Sequence, residues 1–151
     1  MPAYKIPVSV LVVIHTRALD VLLIERADRP GFWQSVTGSR DDGEALADTA
    51  LREVAEETGI DARAYPLADW HIENRFEILP SARRRYAPGV VFNTEHVFGL
   101  LLPQRLPVTL APEEHREFLW LPWADAAAKT PSWSNAAAIR MVPHRLAGAA
   151  S

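Results

Sequence analysis

The chain has 151 residues, which suits one domain over residues 1–151, and it has no cysteine, which excludes disulfides, thiolate metal sites and cysteine nucleophiles. Its 16 lysines and arginines against 19 aspartates and glutamates give a net charge of -3, without the basic excess that nucleic-acid binding favours. The N-terminus lacks a signal-peptide pattern, and the longest apolar run, Val8–Ile14, is too short to cross a bilayer. We therefore predict a cytoplasmic protein with neither a membrane span nor a nucleic-acid partner.

The first half of the chain predicts three strands and one helix. Val8–Ile14 and Val21–Ile24 are apolar and β-branched, as is typical of strands covered on both faces. Phe32–Thr37 is predicted as one short strand that ends at Gly38. A helix is predicted over Ala45–Thr58, because its apolar residues recur every three or four positions.

The second half predicts three further strand regions and helical segments after them. The strand regions are Ala68–Leu79, Val90–Leu102 and Phe118–Leu121. Ala124–Lys129 is predicted as one or two helical turns. Ser134 and Asn135 are predicted to cap a helix over Ala136–Leu146, which Pro143 interrupts. Mixed strands with an early and a late helix predict a layered α/β domain.

An acidic cluster on the first predicted helix is the clearest indication of chemistry. Glu53, Glu56 and Glu57 lie on one helix face because they are spaced at i, i+3 and i+4. Like charges at this spacing cost about 0.2–0.5 kcal/mol per pair, so the cluster favours a bound cation such as Mg²⁺. Arg52, four positions before Glu56, is predicted to orient one carboxylate. The alternative is a solvated acidic helix face, which is the better interpretation of an isolated E-x-x-E-E pattern.

The surrounding residues favour the metal site. They fulfil the pattern G-x5-E-x7-R-E-U-x-E-E-x-G-U, in which U is a bulky aliphatic residue, at Gly38, Glu44, Arg52, Glu53, Val54, Glu56, Glu57, Gly59 and Ile60. This pattern is identified as the Nudix box, so the chain resembles the Nudix hydrolases. The resemblance implies an α/β/α sandwich with a mixed sheet, a loop-helix-loop catalytic element and hydrolysis of a nucleoside diphosphate linked to another group.

The resemblance also implies a metal site formed by the box. It places metal ligands at Glu53 and Glu57, with Glu56 close by and the Gly38 carbonyl contributing. The expected ion is Mg²⁺, with Mn²⁺ as a substitute. Arg52 belongs to the catalytic set as the residue that orients a carboxylate. A glycine at the strand exit agrees with this, because it lets the backbone approach a metal.

One further carboxylate is expected from outside the box. Glu114 is the candidate for a metal ligand or general base, and Glu113 and Glu95 are competitors that spacing alone does not separate. The alternative is that Glu114 is a solvent-exposed glutamate without a role in the chemistry. No histidine shows metal-ligand spacing, and none is assigned chemistry.

Outside the box, the chain contains the scattered stretches Phe32–Ser39, Phe76–Ile78, Arg85–Val90, Asn93–Glu95, Glu114–His115 and Ser132–Asn135. These stretches resemble a bacterial Nudix subfamily that acts on dihydroneopterin triphosphate in folate biosynthesis. The resemblance implies hydrolysis of this triphosphate to the monophosphate and pyrophosphate. A Nudix enzyme that removes oxidised or ordinary nucleoside triphosphates is the first alternative, and an inactive Nudix-fold binding module is the second.

The same resemblance implies a set of substrate contacts. Lys5 and Arg26 are expected to contact the phosphates or the pterin, and Thr37 and Ser132 to make polar contacts. The segment of Phe76, Glu77, Ile78 and Leu79 is expected to line the ligand, with Phe76 packed on the flat ring. Surface charge and strand packing are the alternatives for these residues. The run Arg83–Arg85 is interpreted as structural or as steering the ligand, and the oligomeric state is left open.

Overall fold

The computed structural model describes residues 3–150, with side chains up to residue 146. Its strands are β1 (Val8–Thr16), β2 (Asp20–Arg26), β3 (Trp33–Gln34), β4 (Val36–Ser39), β5 (Leu67–Glu77), β6 (Phe92–Leu102) and β7 (His115–Pro122). Its helices are α1 (Leu46–Thr58), α2 (Trp123–Lys129), α3 (Trp133–Arg140) and α4 (Val142–Ala150), and 3-10 turns cover Ala62–Ala64 and Pro80–Arg85. Within residues 3–150, no helix is long and apolar enough to cross a membrane.

All the strands of the described residues belong to one mixed sheet. Its order is β3-β2-β1-β6-β5, and β4 pairs with β1 while β7 pairs with β2. β1 and β6 run parallel, from Val8 opposite Thr94 to Thr16 opposite Leu102, and the other pairs are antiparallel. The parallel pair is central and covered on both faces, which explains the nearly continuous apolar run in β1.

Helices cover the two faces of the sheet. Alternate side chains of β1 point to opposite faces, so Val12 packs with Val54 of α1 and Val13 packs with Ile139 of α3. α1 ends at Gly59, whose φ of 73° is left-handed and whose N–H donates to the Ala55 carbonyl at 2.9 Å. The predicted α/β/α sandwich with a mixed sheet is confirmed.

The prediction of one strand over Phe32–Thr37 is wrong. The chain leaves the ladder at Ser35, so that β3 pairs with β2 whereas β4 pairs with β1. The Ser35 N–H donates to the side-chain oxygen of Asn135 at 2.8 Å, in a buried contact with α3. A tertiary hydrogen bond therefore replaces a ladder bond at this position.

The predicted C-terminal helix over Ala136–Leu146 is two helices with an earlier start. Ser132 is the N-cap of α3, because its hydroxyl accepts from the N–H of Asn135 at 3.3 Å. α3 ends at Arg140, and α4 carries Pro143 in its first turn, where a missing N–H costs nothing. The predicted capping role of Ser134 and Asn135 is therefore wrong.

Candidate active site

Strand β4 and helix α1 meet at Gly38 and Glu53. A Cβ atom at position 38 would overlap the carboxyl group of Glu53, so only glycine allows this approach. The presence of glycine at this position of the box thus has a local steric explanation. Glu53 lies against the backbone of β4. A ligand role for the Gly38 carbonyl stays a prediction.

Glu57 is the most unusual carboxylate of the site. It is 1% exposed, and neither of its carboxylate oxygens has a hydrogen-bond partner among the described residues. Burial, the neighbouring carboxyl group of Glu53 and the charge of Glu114 raise the pKa of Glu57 well above its ordinary value. A buried ionised carboxylate without a partner is costly, so a positive partner is expected here.

Glu53 and Glu57, the acidic pair, fit a divalent cation. Both are shielded from water, and burial raises the pKa of Glu53 as well. In the described part of the chain, no three or more His, Asp or Glu side chains already surround a common metal position. Mg²⁺ usually takes one or two carboxylates together with water and substrate phosphates, and the acidic pair supplies two carboxylates.

Arg52 links several residues of the box through hydrogen bonds. Its guanidinium donates to both carboxylate oxygens of Glu44 at 2.9 Å, to Glu53 at 2.8 Å and to the Ser39 carbonyl at 3.0 Å. It thereby ties the loop before α1 to the helix and orients one member of the acidic pair. Glu56 is 3.5 Å from Arg52, and its side chain is 54% exposed. Glu56 therefore lies at the rim of the site, and its predicted role as a metal ligand stays untested.

Replacement of Glu44 by glutamine is expected to remove a pH-dependent part of the stability. Arg52, and then Thr49 and the N–H of Asp41, hold the pKa of Glu44 at about 2, below the ordinary 4.5. A carboxyl group whose pKa falls on folding stabilises the protein above its unfolded pKa. That contribution is lost as the pH falls from about 4.5 to about 2.

The measurement is denaturant unfolding of wild type and Glu44→Gln over this pH range. The difference in free energy of unfolding should be largest near neutral pH and shrink as the pH approaches 2. Asp42→Asn, an exposed change in the same loop, is the control and should follow wild type. A difference that does not vary with pH would contradict the assignment.

Of the three candidate carboxylates outside the box, Glu114 is the one whose charge raises the pKa of Glu57. Its backbone carbonyl accepts from the Ala27 N–H at 2.9 Å, which fixes the loop before β7. Glu113 is exposed in the same turn and is not among the groups that shift the pKa of Glu57. Glu95 is buried on the sheet face opposite α1, the face to which its β6 neighbour Val97 also points.

His115 is a site residue that the sequence analysis missed. Its Nε2 atom lies 3.6 Å from a carboxylate oxygen of Glu57 and 3.4 Å from the side-chain nitrogen of Gln34. Burial, and then the charge of Arg26, lower the pKa of His115, so its imidazole is neutral at neutral pH. The one sequence feature that pointed to His115 was its position directly after Glu114, in a stretch that resembles the subfamily.

The predicted cations Lys5 and Arg26 lie on the same side as the acidic pair. Burial lowers the pKa of Lys5, and the positive charges of Arg85 and Arg26 lower it further, whereas Glu53 opposes this. Arg26 donates to both oxygens of Asp28 at 2.9 Å. The charges of Lys5 and Arg26 thus act on Glu53 and Glu57, as the approach of a phosphate chain to an acidic site requires.

Thr37 and Ser132 have separate hydrogen-bond partners. The Thr37 hydroxyl accepts from Gln34 at a long 3.4 Å. The Ser132 hydroxyl accepts from the side chain of Asn135 at 3.0 Å, and Asn135 in turn accepts from the Ser35 N–H between β3 and β4. Ser132 is thus linked through Asn135 to the segment that precedes Thr37, and the structure gives no direct contact between the two predicted residues.

The segment Phe76–Leu79 lies at the end of β5. Phe76 pairs with Asn93 of β6, and the Ile78 N–H donates to the Val91 carbonyl at 2.8 Å. Glu77 forms an ion pair with Arg83 at 2.6 Å, and Leu79 is 58% exposed. Of the four residues, Ile78 is buried, and Leu79 offers an apolar surface to a ligand. The structure gives no direct contact between this segment and the acidic pair.

Fold and site together define the class of protein. A family model described as NUDIX domain matches residues 5–142. The chain therefore belongs to the NUDIX family.

Within that family, the chain is similar to two bacterial proteins that share one name. It is 48% identical over 139 residues to the dihydroneopterin triphosphate diphosphatase of Escherichia coli K12, covering 90% of this chain and 91% of that protein. The Haemophilus influenzae protein of the same name is 38% identical over 143 residues, covering 93% and 89%. The solved structure of the E. coli dihydroneopterin triphosphate pyrophosphohydrolase matches with a TM-score of 0.85 and 46% identity, over 93% of this chain and 97% of that chain. The subfamily resemblance is confirmed.

Proposed function

We propose that this chain hydrolyses dihydroneopterin triphosphate to dihydroneopterin monophosphate and pyrophosphate, with Mg²⁺ as its cofactor. The observation that carries the reaction type is the acidic pair, in which the buried Glu57 has no hydrogen-bond partner among the described residues. The substrate rests on the two relatives that carry this activity in their names and match 90% and 93% of the chain. The small triphosphate is the proposed partner, and the cytoplasmic location and the lack of a nucleic-acid partner stay predictions.

Glu53 and Glu57 would hold the divalent cation. When bound, such an ion polarises a phosphoryl oxygen and makes an attacking water more acidic. The chain itself supplies positioning: Arg52 fixes Glu53, and His115 adjoins Glu57. The complete acidic set of the box argues against the inactive binding module.

The residues outside the box complete the proposed chemistry. Hydrolysis forms one bond between phosphorus and the oxygen of water and breaks one phosphoanhydride bond. Glu114, as general base, accepts the proton that the water loses. The phosphate chain remains negatively charged throughout the reaction, and Lys5 and Arg26 offset that charge.

The pterin ring is proposed to bind beside Phe76, with Thr37 and Ser132 as polar contacts. Phe76→Ala is expected to lower kcat/KM for dihydroneopterin triphosphate about tenfold or more, because stacking and buried aromatic area are lost. Hydrolysis of a poor substrate such as GTP should change little, because it gains little from this contact. The measurement is kcat/KM for both substrates with wild type and variant.

The matched control is Phe92→Ala on the neighbouring strand. Phe92 is 46% exposed and stacks on Arg75 at 4.1 Å, so its removal should affect neither substrate. Equal losses on both substrates in Phe76→Ala would favour a purely structural role for this side chain and the nucleotide alternative for the enzyme.

A further inference from the structure

The three arginines of the turn Pro80–Arg85 have different environments. Arg83 is engaged, because it donates to Glu77 at 2.6 Å and to the Ile78 carbonyl at 3.0 Å. Arg84 and Arg85 are both exposed, and Arg84 lines a cavity of about 450 Å³ with Tyr4. Neither of them belongs to any of the ion pairs of the described residues. The run therefore contains one paired and two unpaired arginines, and the contacts of the neighbouring segments distinguish the two.

Arg85 is attached to the N-terminal segment that carries Lys5. The Lys5 N–H donates to the Arg85 carbonyl at 2.8 Å, and the Lys5 ammonium lies 5.9 Å from the ring centre of Tyr86. The charge of Arg85 also lowers the pKa of Asp28, the partner of Arg26. The Arg85 guanidinium thus lies within electrostatic reach of the segments that hold both predicted phosphate contacts.

We infer that Arg85 binds the phosphate chain of the substrate together with Lys5 and Arg26, and that Arg84 does not. These three cations, the cationic cluster, repel one another, and Asp28, the carboxylate on which the charge of Arg85 acts, is already hydrogen-bonded to Arg26 at 2.9 Å. The charges of Lys5 and Arg26 act on Glu53 and Glu57, so a phosphate chain that reaches a cation held by the acidic pair would also meet the cationic cluster. The inference deepens the proposed function, because it assigns part of the triphosphate site.

The test is binding of inorganic triphosphate with Mg²⁺, measured by calorimetry on wild type, Arg85→Gln, Arg85→Lys and Arg84→Gln. We expect Arg85→Gln to raise the Kd about tenfold or more, since a charged hydrogen bond is lost. Arg84→Gln should match wild type within about twofold, because Arg84 is not among the charges that act on Lys5 or Arg26. Arg85→Lys should lie between these, because lysine keeps the charge but not the paired donors.

The same variants separate an effect on substrate binding from an effect on the chemical step. With a hydrolysed triphosphate substrate, Arg85→Gln should raise KM more than it lowers kcat, and it should reduce the salt dependence of KM. If Arg85 had only a structural role, Arg85→Gln would lower the melting temperature without raising KM more than it lowers kcat. If Arg85→Gln is poorly folded, Arg85→Lys decides the matter: weaker triphosphate binding supports the inference, and wild-type binding overturns it.

Two further outcomes would overturn the inference. One is an unchanged Kd for inorganic triphosphate in Arg85→Gln, and the other is an equal loss in Arg84→Gln, which would indicate nonspecific steering. The probe contains no pterin, so the proposed function is tested separately. An enzyme that needs Arg85 for triphosphate but does not hydrolyse dihydroneopterin triphosphate would refute the proposed substrate alone.

Discussion

Glu57→Gln is expected to lower kcat by about two orders of magnitude or more while the protein stays folded. A divalent cation supplies several kcal/mol of charge stabilisation, and about 1.4 kcal/mol corresponds to a factor of ten. The amide retains the shape of the side chain but is a poor metal ligand. Turnover should be measured at saturating Mg²⁺ and substrate.

The same variant should be at least as stable as wild type without metal. Both oxygens of Glu57 are buried without a hydrogen-bond partner among the described residues, so ionisation of this group is costly in the folded state. The neutral amide removes that cost. Added Mg²⁺ should then raise the melting temperature of wild type and not that of Glu57→Gln.

Glu56→Gln is the matched control on the same helix. Its side chain is 54% exposed at the rim, so a smaller loss of turnover is expected. A folded Glu57→Gln protein with near-normal kcat would show that Glu57 does not bind the metal.

Glu114→Gln should give the second large effect, a fall in kcat of about 10²–10⁴ with little change in KM. A general base acts on the chemical step, and Glu114 is the outside carboxylate whose charge reaches Glu57. Steady-state kinetics over a range of substrate concentrations separate the two parameters.

Glu113→Gln is the control for this assignment. Glu113 and Glu114 are both exposed in this turn, but the charge of Glu113 is not among those that act on Glu57, so its replacement should leave kcat close to wild type. Equal losses in the two variants, or a larger loss in Glu113→Gln, would place the base elsewhere.

The features that the sequence predicted well depend on local spacing. Glu53 and Glu57 are one turn apart on a helix whose apolar face is itself periodic, so their common direction follows from helix geometry. The apolar run of β1 likewise indicated a strand covered on both faces. The contact of Gly38 with Glu53 was not predicted, because the sequence analysis gave Gly38 a role toward the metal only.

The features that it missed depend on contacts between distant segments. The break at Ser35 requires Asn135, which is 100 residues away in the chain. His115 acquires its role only when β7 brings it next to Glu57. No pattern in the sequence marks which residues will meet in this way.

The arginine run shows the same limit. Arg83 and Arg85 are the same residue type two positions apart, yet one pairs with Glu77 and the other is bonded through its backbone to Lys5. Charge alone does not distinguish them, whereas tertiary contacts do.

The most direct test of the account is the turnover of the purified chain on dihydroneopterin triphosphate beside GTP, dGTP and an oxidised guanine nucleotide, each with Mg²⁺ and with excess chelator. The account predicts the highest kcat/KM for dihydroneopterin triphosphate, the monophosphate and pyrophosphate as products, and background rates in chelator. A higher kcat/KM for the oxidised guanine nucleotide would contradict the proposed substrate, and undiminished turnover in chelator would contradict the metal site at Glu53 and Glu57.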